Sequence, residues 1–369
     1  QQRMLDVQNQ AWGNPSSLHS FGIAAAEALE RKRVEIGALL GADANDVLIT
    51  SGATESIHLG IRGLASSFAP GRIVISAVEH PAVTAAAHAL TPLGWQVATA
   101  PVDSEGILQL DRFEELLHPP TRLVSVIWGQ SEVGTLQPLQ TIGALCRRYG
   151  IPFHTDATQV ISQALPDWNT LPVDLLSASA HKCGGPRGVG LLLIRRAWKQ
   201  QLTALLTGGG QENNLRSGTE SVVLVAGMAE ALAQIQRCDV DGLPDSGDGI
   251  RRIRDELELQ LCRTVGVATL GQPQQRLPHH LALMLRDRSG KPLSGRRMVR
   301  VLDQEGLAVS SGSACSSGRD TDSSVLSAMR MPKEMRRSGL RLSLGFWNSS
   351  NQIGSIVERF ERAMQVCSE

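Results

Sequence analysis

Two segments carry side chains whose type and setting point to covalent chemistry. The first, Ser177-Ala-Ser-Ala-His-Lys-Cys-Gly-Gly-Pro186 followed by Arg187-Gly-Val-Gly190, places Lys182 just after a short apolar run, among glycine, serine and histidine. This is unlike the setting of a solvated surface lysine. Partial burial there would lower the amine's pKa and make it competent to form a Schiff base. The neighbouring hydroxyls and imidazole are suited to holding a phosphate. Four glycines between Gly184 and Gly190 imply a backbone folded tightly against something. The second segment, His154-Thr-Asp-Ala-Thr-Gln159, puts Asp156 at the end of an apolar strand, where a carboxylate needs a strong partner to offset its desolvation. Asp156 as a helix cap before Ala157 is one reading. A partner that carries a proton, such as a pyridinium nitrogen, explains the position better.

Three further motifs follow strands or lie in a polar run. Thr50-Ser-Gly-Ala-Thr-Glu55 opens a helix, and its small residues and free N–H groups favour an anion such as phosphate, with Thr54 as a simple helix cap the plainer alternative. His80, in Val78-Glu-His-Pro81, is either a surface residue ahead of a proline-started helix or an imidazole lying over a flat ligand. His80 and His88 are two helical turns apart with no third ligand at suitable spacing, so no metal site is expected. Val309-Ser-Ser-Gly-Ser-Ala-Cys-Ser-Ser-Gly318 sets Cys315 in small polar residues that cannot build core; it reads as a mobile surface loop carrying a thiol that is used.

These residues need a scaffold, and the pattern from about residue 24 to 195 supplies one. Apolar runs at Val47–Thr50, Ile73–Ser76, Leu123–Ile127, Pro152–Thr155, Asp174–Ser177 and Val189–Ile194 alternate with helical segments at Ala24–Leu40, Ala82–Leu90, Leu110–Leu117 and Leu139–Tyr149. Alternation of this kind predicts an α/β unit with a mostly parallel sheet covered by helices. In such sheets ligands sit beyond the carboxyl ends of strands. Ser221–Ile235 reads as a buried helix and Asp239–Asp248 as a hinge. The remainder, with helices at Ile250–Val265 and Arg296–Gln304 and strands at Val267–Leu270 and Leu281–Arg286, reads as a smaller α+β domain. The expected division is 1–238 for the large domain and 239–369 for the small one.

The 369 residues allow two or three domains, and the 36 basic and 36 acidic side chains cancel, giving no electrostatic reason to expect nucleic acid or an anionic membrane as partner. No apolar run reaches the ~20 residues needed to span a bilayer. Six cysteines without C-x-x-C pairing suit reduced thiols in a reducing compartment, which points to the cytoplasm. The chain opens at Gln1 with neither an initiator Met nor a leader, so its start reads as truncated and an organellar targeting peptide stays open.

Taken in order, these motifs resemble the cysteine desulfurases of the NifS/IscS type, in the class V branch of fold-type I pyridoxal-phosphate enzymes. The similarity runs from Gly13-Asn-Pro-Ser-Ser-Leu-His19 to about Asn348. The resemblance implies that Lys182 is the Schiff-base lysine and Asp156 the partner of the pyridine nitrogen. It implies that His80 stacks on the cofactor ring and Gln159 donates to its phenolic oxygen. Ala53 through its backbone, Thr54, Ser179 and His181 would bind the phosphate. Thr219, in Arg216-Ser-Gly-Thr219, would supply a phosphate contact to the other subunit of a homodimer. Arg341, in Leu340-Arg-Leu-Ser-Leu-Gly345, would grip the substrate carboxylate, and Cys315 would be the nucleophile that accepts sulfur. The chain departs from the family at Gln130-Ser131-Glu132, where Asn-Asn-Glu is usual; the second Asn contacts cofactor and substrate, and Ser131 is too short to replace it directly.

The implied activity is conversion of L-cysteine to L-alanine with a persulfide left on Cys315, then passed to an acceptor protein in iron–sulfur cluster assembly or tRNA thiolation. The alternatives are a class V aminotransferase, a cysteine/cystine lyase, and a catalytically weak scaffold with the same cofactor fold.

Overall fold

A computed structural model describes residues 1–237, 249–312 and 322–369. Within it the chain divides into two compact units: Gln1–Ala100 with Leu110–Trp128 and Pro138–Asp245, and Pro101–Gln109 with Gly129–Gln137 and Ser246–Glu369. The expected boundary at residue 238 and the expected hinge at 239–248 lie outside the described residues.

The first unit is built on short runs of β-branched residues and leucine that are buried on both faces, the signature of a sheet covered on two sides. Its strands are β1 (Val47–Thr50), β2 (Arg72–Ser76), β3 (Gln96–Ala100), β4 (Thr121–Ser125), β5 (Phe153–Asp156), β6 (Ala164–Leu165), β7 (Leu175–Ser179), β8 (Gly190–Ile194) and β9 (Gln236–Arg237). Seven of them form one sheet in the order β1-β8-β7-β5-β4-β2-β3, while β6 and β9 pair separately. Pairing is parallel throughout the seven except along β8, which runs antiparallel to both β1 and β7. Two reversals in succession leave β1 parallel to β7. The carboxyl ends of β1, β7, β5, β4 and β2 and the amino end of β8 therefore meet at one sheet edge.

The helices of this unit are α1 (Gln2–Gln10), α2 (Ser20–Leu39), α3 (Ala53–His58), α4 (Pro81–His88), α5 (Leu110–Leu116), α6 (Leu139–Arg148), α7 (Arg196–Lys199) and α8 (Val222–Leu232). Isoleucine, valine and alanine from α3 and α4 pack on β1, β2 and β8 in one continuous core with Ile57, Ile73, Ala86 and Leu192 fully buried. The most apolar stretch of the chain is α8, which buries Val222, Val225, Met228 and Leu232, as its composition requires. Strand β3 is missing from the pattern read in the sequence because Gln96-Val-Ala-Thr-Ala100 is an edge strand with only Ala100 buried.

The second unit is antiparallel. Its strands β10 (Val267–Thr269), β11 (His280–Leu285), β12 (Ser310–Ser311) and β13 (Gly339–Ser343) are ordered β10-β11-β13-β12. Helices α9 (Gly249–Leu261), α10 (Gly295–Gln304), α11 (Ser324–Ala328) and α12 (Ile353–Ser368) complete it, and Leu257, Met298, Leu302 and Phe360 pack on Leu283, Leu285 and Leu340 as its core. The sequence hides β13 because Gly339 and Arg341 interrupt its apolar character; the strand exists because β11 and β12 flank it.

Candidate active site

In the first unit, Asp156 ends β5 and is 5% exposed. Its Oδ1 accepts the Thr158 N–H at 3.0 Å, and its main-chain carbonyl accepts the Trp128 N–H at 3.0 Å. No helix follows, since the chain from 157 to 163 forms turns, so this bond closes a turn rather than capping a helix and does not by itself account for the burial. Thr158 Oγ1, next along the chain, is buried without a hydrogen-bond partner. Gln159 follows, half-buried.

At the end of β7, Ser179 Oγ lies 2.8 Å from His181 Nδ1. Burial, with the charges of Lys182 and Arg187, pushes the His181 imidazole below its ordinary pKa and keeps it neutral near pH 7. The first turn of α3 stands beside this pair: a Cβ placed on Gly52 would sit 3.6 Å from Ser179 Oγ. Gly52, not Thr54, is the N-cap; Ala53 is half-buried and Thr54, inside the first turn, is exposed. The glycine-rich run is explained at Gly190, where a Cβ would come within 2.6 Å of Gly52 Cα and of the Ala178 carbonyl. Only glycine lets β8 pass this close to the turn that opens α3.

Lys182 departs from expectation. It is exposed rather than partly buried, because β7 runs on to Ser179 and the following 3-10 turn, Ala180–Cys183, carries the lysine past the end of the sheet. His80 is the N-cap of α4, its Nδ1 accepting the Ala82 N–H at 3.1 Å, which fixes the plane of the half-buried ring. Asp156, Ser179, His181, Lys182, His80 and the α3 turn thus share one edge of one sheet. Thr219 is exposed on the loop after Arg216, which is tied to α3 by an ion pair with Glu55 at 2.7 Å.

One residue escaped the sequence reading. Glu79, beside His80, is buried, and its Oε1 accepts from Ser76 Oγ and from the Ile127 N–H at 2.8 Å, while Oε2 has no hydrogen-bond partner. Burial pushes this carboxyl up to about 8 against the pull of those two donors, and Asp156 adds to the rise. The signal was its place directly before His80; nothing in that pattern tells a buried glutamate from a surface one.

Ser131 and Arg341 belong to the second unit and meet there. Arg341 Nη1 donates to the Ser131 carbonyl at 2.8 Å, and His280 Nε2 lies 2.9 Å from the same oxygen. It is thus the main chain of Ser131, rather than its short side chain, that addresses the guanidinium. Glu132 accepts from Ser323 Oγ at 2.6 Å; burial raises its pKa, against the pull of Ser323 and of the Arg341 charge. Cys315 lies outside the described residues.

The edge of the first unit fits pyridoxal phosphate. The Ser179 hydroxyl, the His181 imidazole and the N–H groups that open α3 could serve as phosphate donors, glycine at 52 and 190 lets the backbone come close there, and the buried Asp156 carboxylate could face a protonated ring nitrogen. The fold and this site define a fold-type I enzyme of the class V kind. The family model for aminotransferase class-V matches residues 2–356. The chain is 35% identical over 357 residues to the cysteine desulfurase IscS of Dictyoglomus turgidum, covering 96% of this chain and 88% of that one. It is 37% identical over 355 residues to the IscS of Methylococcus capsulatus, covering 95% and 85%. Among solved structures, a NifS-like protein superposes with a TM-score of 0.88 at 29% identity, covering 99% of this chain and 95% of that chain. The chain belongs to the cysteine desulfurase family, whose members depend on pyridoxal phosphate.

Proposed function

We propose that this protein takes sulfur from L-cysteine, releasing L-alanine, with Cys315 as the first sulfur acceptor and pyridoxal phosphate held at the sheet edge of the first unit. The observation that carries this reading is the convergence of Asp156, Ser179, His181 and the α3 turn at that edge. Pyridoxal phosphate, when bound, draws electrons from the bonds at the substrate's Cα.

The chain's own groups do the rest. Ser179, His181, Thr54 and the Ala53 N–H hold the phosphate, with Thr219 reaching the phosphate of a second copy. Asp156 holds a proton on the ring nitrogen, His80 orients the ring and Gln159 donates to its phenolic oxygen. Lys182 anchors the cofactor; released, its amine accepts the Cα proton, for which exposure at the site edge gives it freedom. Arg341 grips the substrate carboxylate as a bidentate fork. The Cys315 thiolate forms an S–S bond to the substrate sulfur while the C–S bond breaks, and the pair left on carbon is protonated to give alanine. The persulfide then passes to an acceptor protein of iron–sulfur cluster assembly or tRNA thiolation. Cytoplasmic location suits this use of reduced thiols. Among the described residues no helix is long and apolar enough to cross a membrane.

The test is product analysis of the cofactor-loaded protein with L-cysteine and a thiol reductant. Alanine and sulfide in equal amounts are expected, and Cys315→Ser should bind L-cysteine yet make almost no alanine. Pyruvate with ammonia would instead identify a lyase, no product a scaffold, and parent-rate alanine from Cys315→Ser would remove Cys315 from the mechanism.

A further inference from the structure

The carbonyl of Ser131 accepts from Arg341 Nη1 at 2.8 Å and lies 2.9 Å from His280 Nε2. A carbonyl cannot donate, so Nε2 carries a proton. Nδ1, buried, has no hydrogen-bond partner, and His280 itself is 1% exposed. Burial, reinforced by the charges of His279, Arg341 and Arg276, pushes the imidazole well below its ordinary pKa, so the ring is neutral and Nε2–H is its one donor. The ring is pinned from behind by Gly134, at φ +82°, where a Cβ would approach Nδ1 to 2.7 Å. Strand register completes the arrangement. Arg341 on β13 pairs with Ala282 on β11, so His280, two residues along on the same face, is its diagonal neighbour.

We propose that His280 is a positioning residue for substrate recognition: together with Arg341 it clamps the Ser131 carbonyl, and the clamp sets the plane in which the guanidinium meets a carboxylate. A guanidinium is a rigid planar fork, so holding one of its N–H groups against a fixed acceptor orients the whole group. Where the family has a second asparagine, this chain has a serine whose backbone is held by a histidine. The inference rests on Arg341 being the carboxylate grip.

The test uses the cofactor-loaded protein and two variants of similar size. In His280→Gln the amide nitrogen lies as many bonds from Cβ as Nε2 does and can reach Ser131; in His280→Asn it lies one bond short. His280→Asn should raise KM for L-cysteine about 3–10-fold, the worth of one hydrogen bond, with kcat within about twofold. His280→Gln should stay near the parent. Calorimetric affinity for L-alanine should fall by the same factor in His280→Asn, while binding of cysteamine, which lacks the carboxylate, should not change. Unchanged KM and L-alanine affinity in His280→Asn, or equal weakening of cysteamine, would overturn the inference. If His280→Asn does not fold, a raised KM in folded His280→Gln overturns it and a parent-like KM supports it. Arg341→Gln separates the two levels: if it leaves KM for L-cysteine unchanged, the carboxylate reading of Arg341 fails and the clamp's role goes with it.

Discussion

Replacing Glu79 with glutamine should make the stability of the protein less sensitive to pH, in a direction set by the structure. In the folded chain burial holds the carboxyl at about 8, against an ordinary 4.5. Below pH 4.5 the group is protonated in both states and its contribution is fully present. Between 4.5 and 8 the unfolded chain releases the proton and the folded chain keeps it, so stability is lost as pH rises, at up to about 1.4 kcal/mol per pH unit. Over that window the ceiling is about 5 kcal/mol. Glutamine keeps an acceptor for the Ile127 N–H but does not ionise. Its amide N–H groups would occupy the partnerless Oε2 position, costing about 1–3 kcal/mol at any pH. Glu79→Gln should therefore be less stable than the parent near pH 5 and more stable near pH 8.5. His154, buried between Ser125 and Ser177, acts in the opposite sense: burial lowers its imidazole to about 3, so its contribution is present above pH 6.5 and is lost as pH falls. It is common to both proteins and cancels in the difference. Urea unfolding followed by tryptophan fluorescence reports on this unit, which contains the fully buried Trp128 and Trp168. A parent–variant difference that stays flat from about pH 5.5 to about pH 8.5 would refute the reading of Glu79 as a neutral buried carboxyl.

Four further outcomes are expected. Glu212→Ala should destabilise by about 3–5 kcal/mol in urea unfolding, because it strands the buried Arg33 guanidinium and the Ile49 N–H; a loss below about 1 kcal/mol would show that water replaces the carboxylate. Gly190→Ala should cost about 1–3 kcal/mol and weaken cofactor binding measured by dialysis, since its Cβ drives β8 away from Gly52; parent-like binding would detach the Gly52–Gly190 approach from the phosphate site. Lys182→Ala should lose both the visible absorption of the cofactor-loaded protein and turnover, and an unchanged spectrum would exclude it as the anchor. Asp156→Ala should fold and retain some cofactor yet barely turn over; near-normal activity would reduce Asp156 to its turn-closing bond with Thr158.

Much of the site was legible in sequence because the chemistry sits where strands stop. An apolar run followed by a carboxylate, or by serine, histidine and lysine, marks both a strand and its carboxyl end, so Asp156, Ser179 and His181 could be assigned to a common edge before any packing was known. The glycines of 184–190 likewise announced a close approach, though only the fold identifies Gly52 as what Gly190 must pass. Other features depend on long-range partners and leave no local trace. Glu79 and Glu212 are glutamates like any others until β4's extension or Arg33 closes over them. Edge strand β3 and the interrupted strand β13 lack the apolar run that marks a strand, and exist because neighbours pair with them. The neighbours of Lys182 imply partial burial, but its exposure depends on where the strand ends, two residues beyond the apolar run. At Ser131 the sequence showed a missing side chain. Tertiary structure decided that the backbone carbonyl, facing Arg341 and His280 from residues more than a hundred positions away, carries the contact, because a main-chain acceptor is present whatever the residue type.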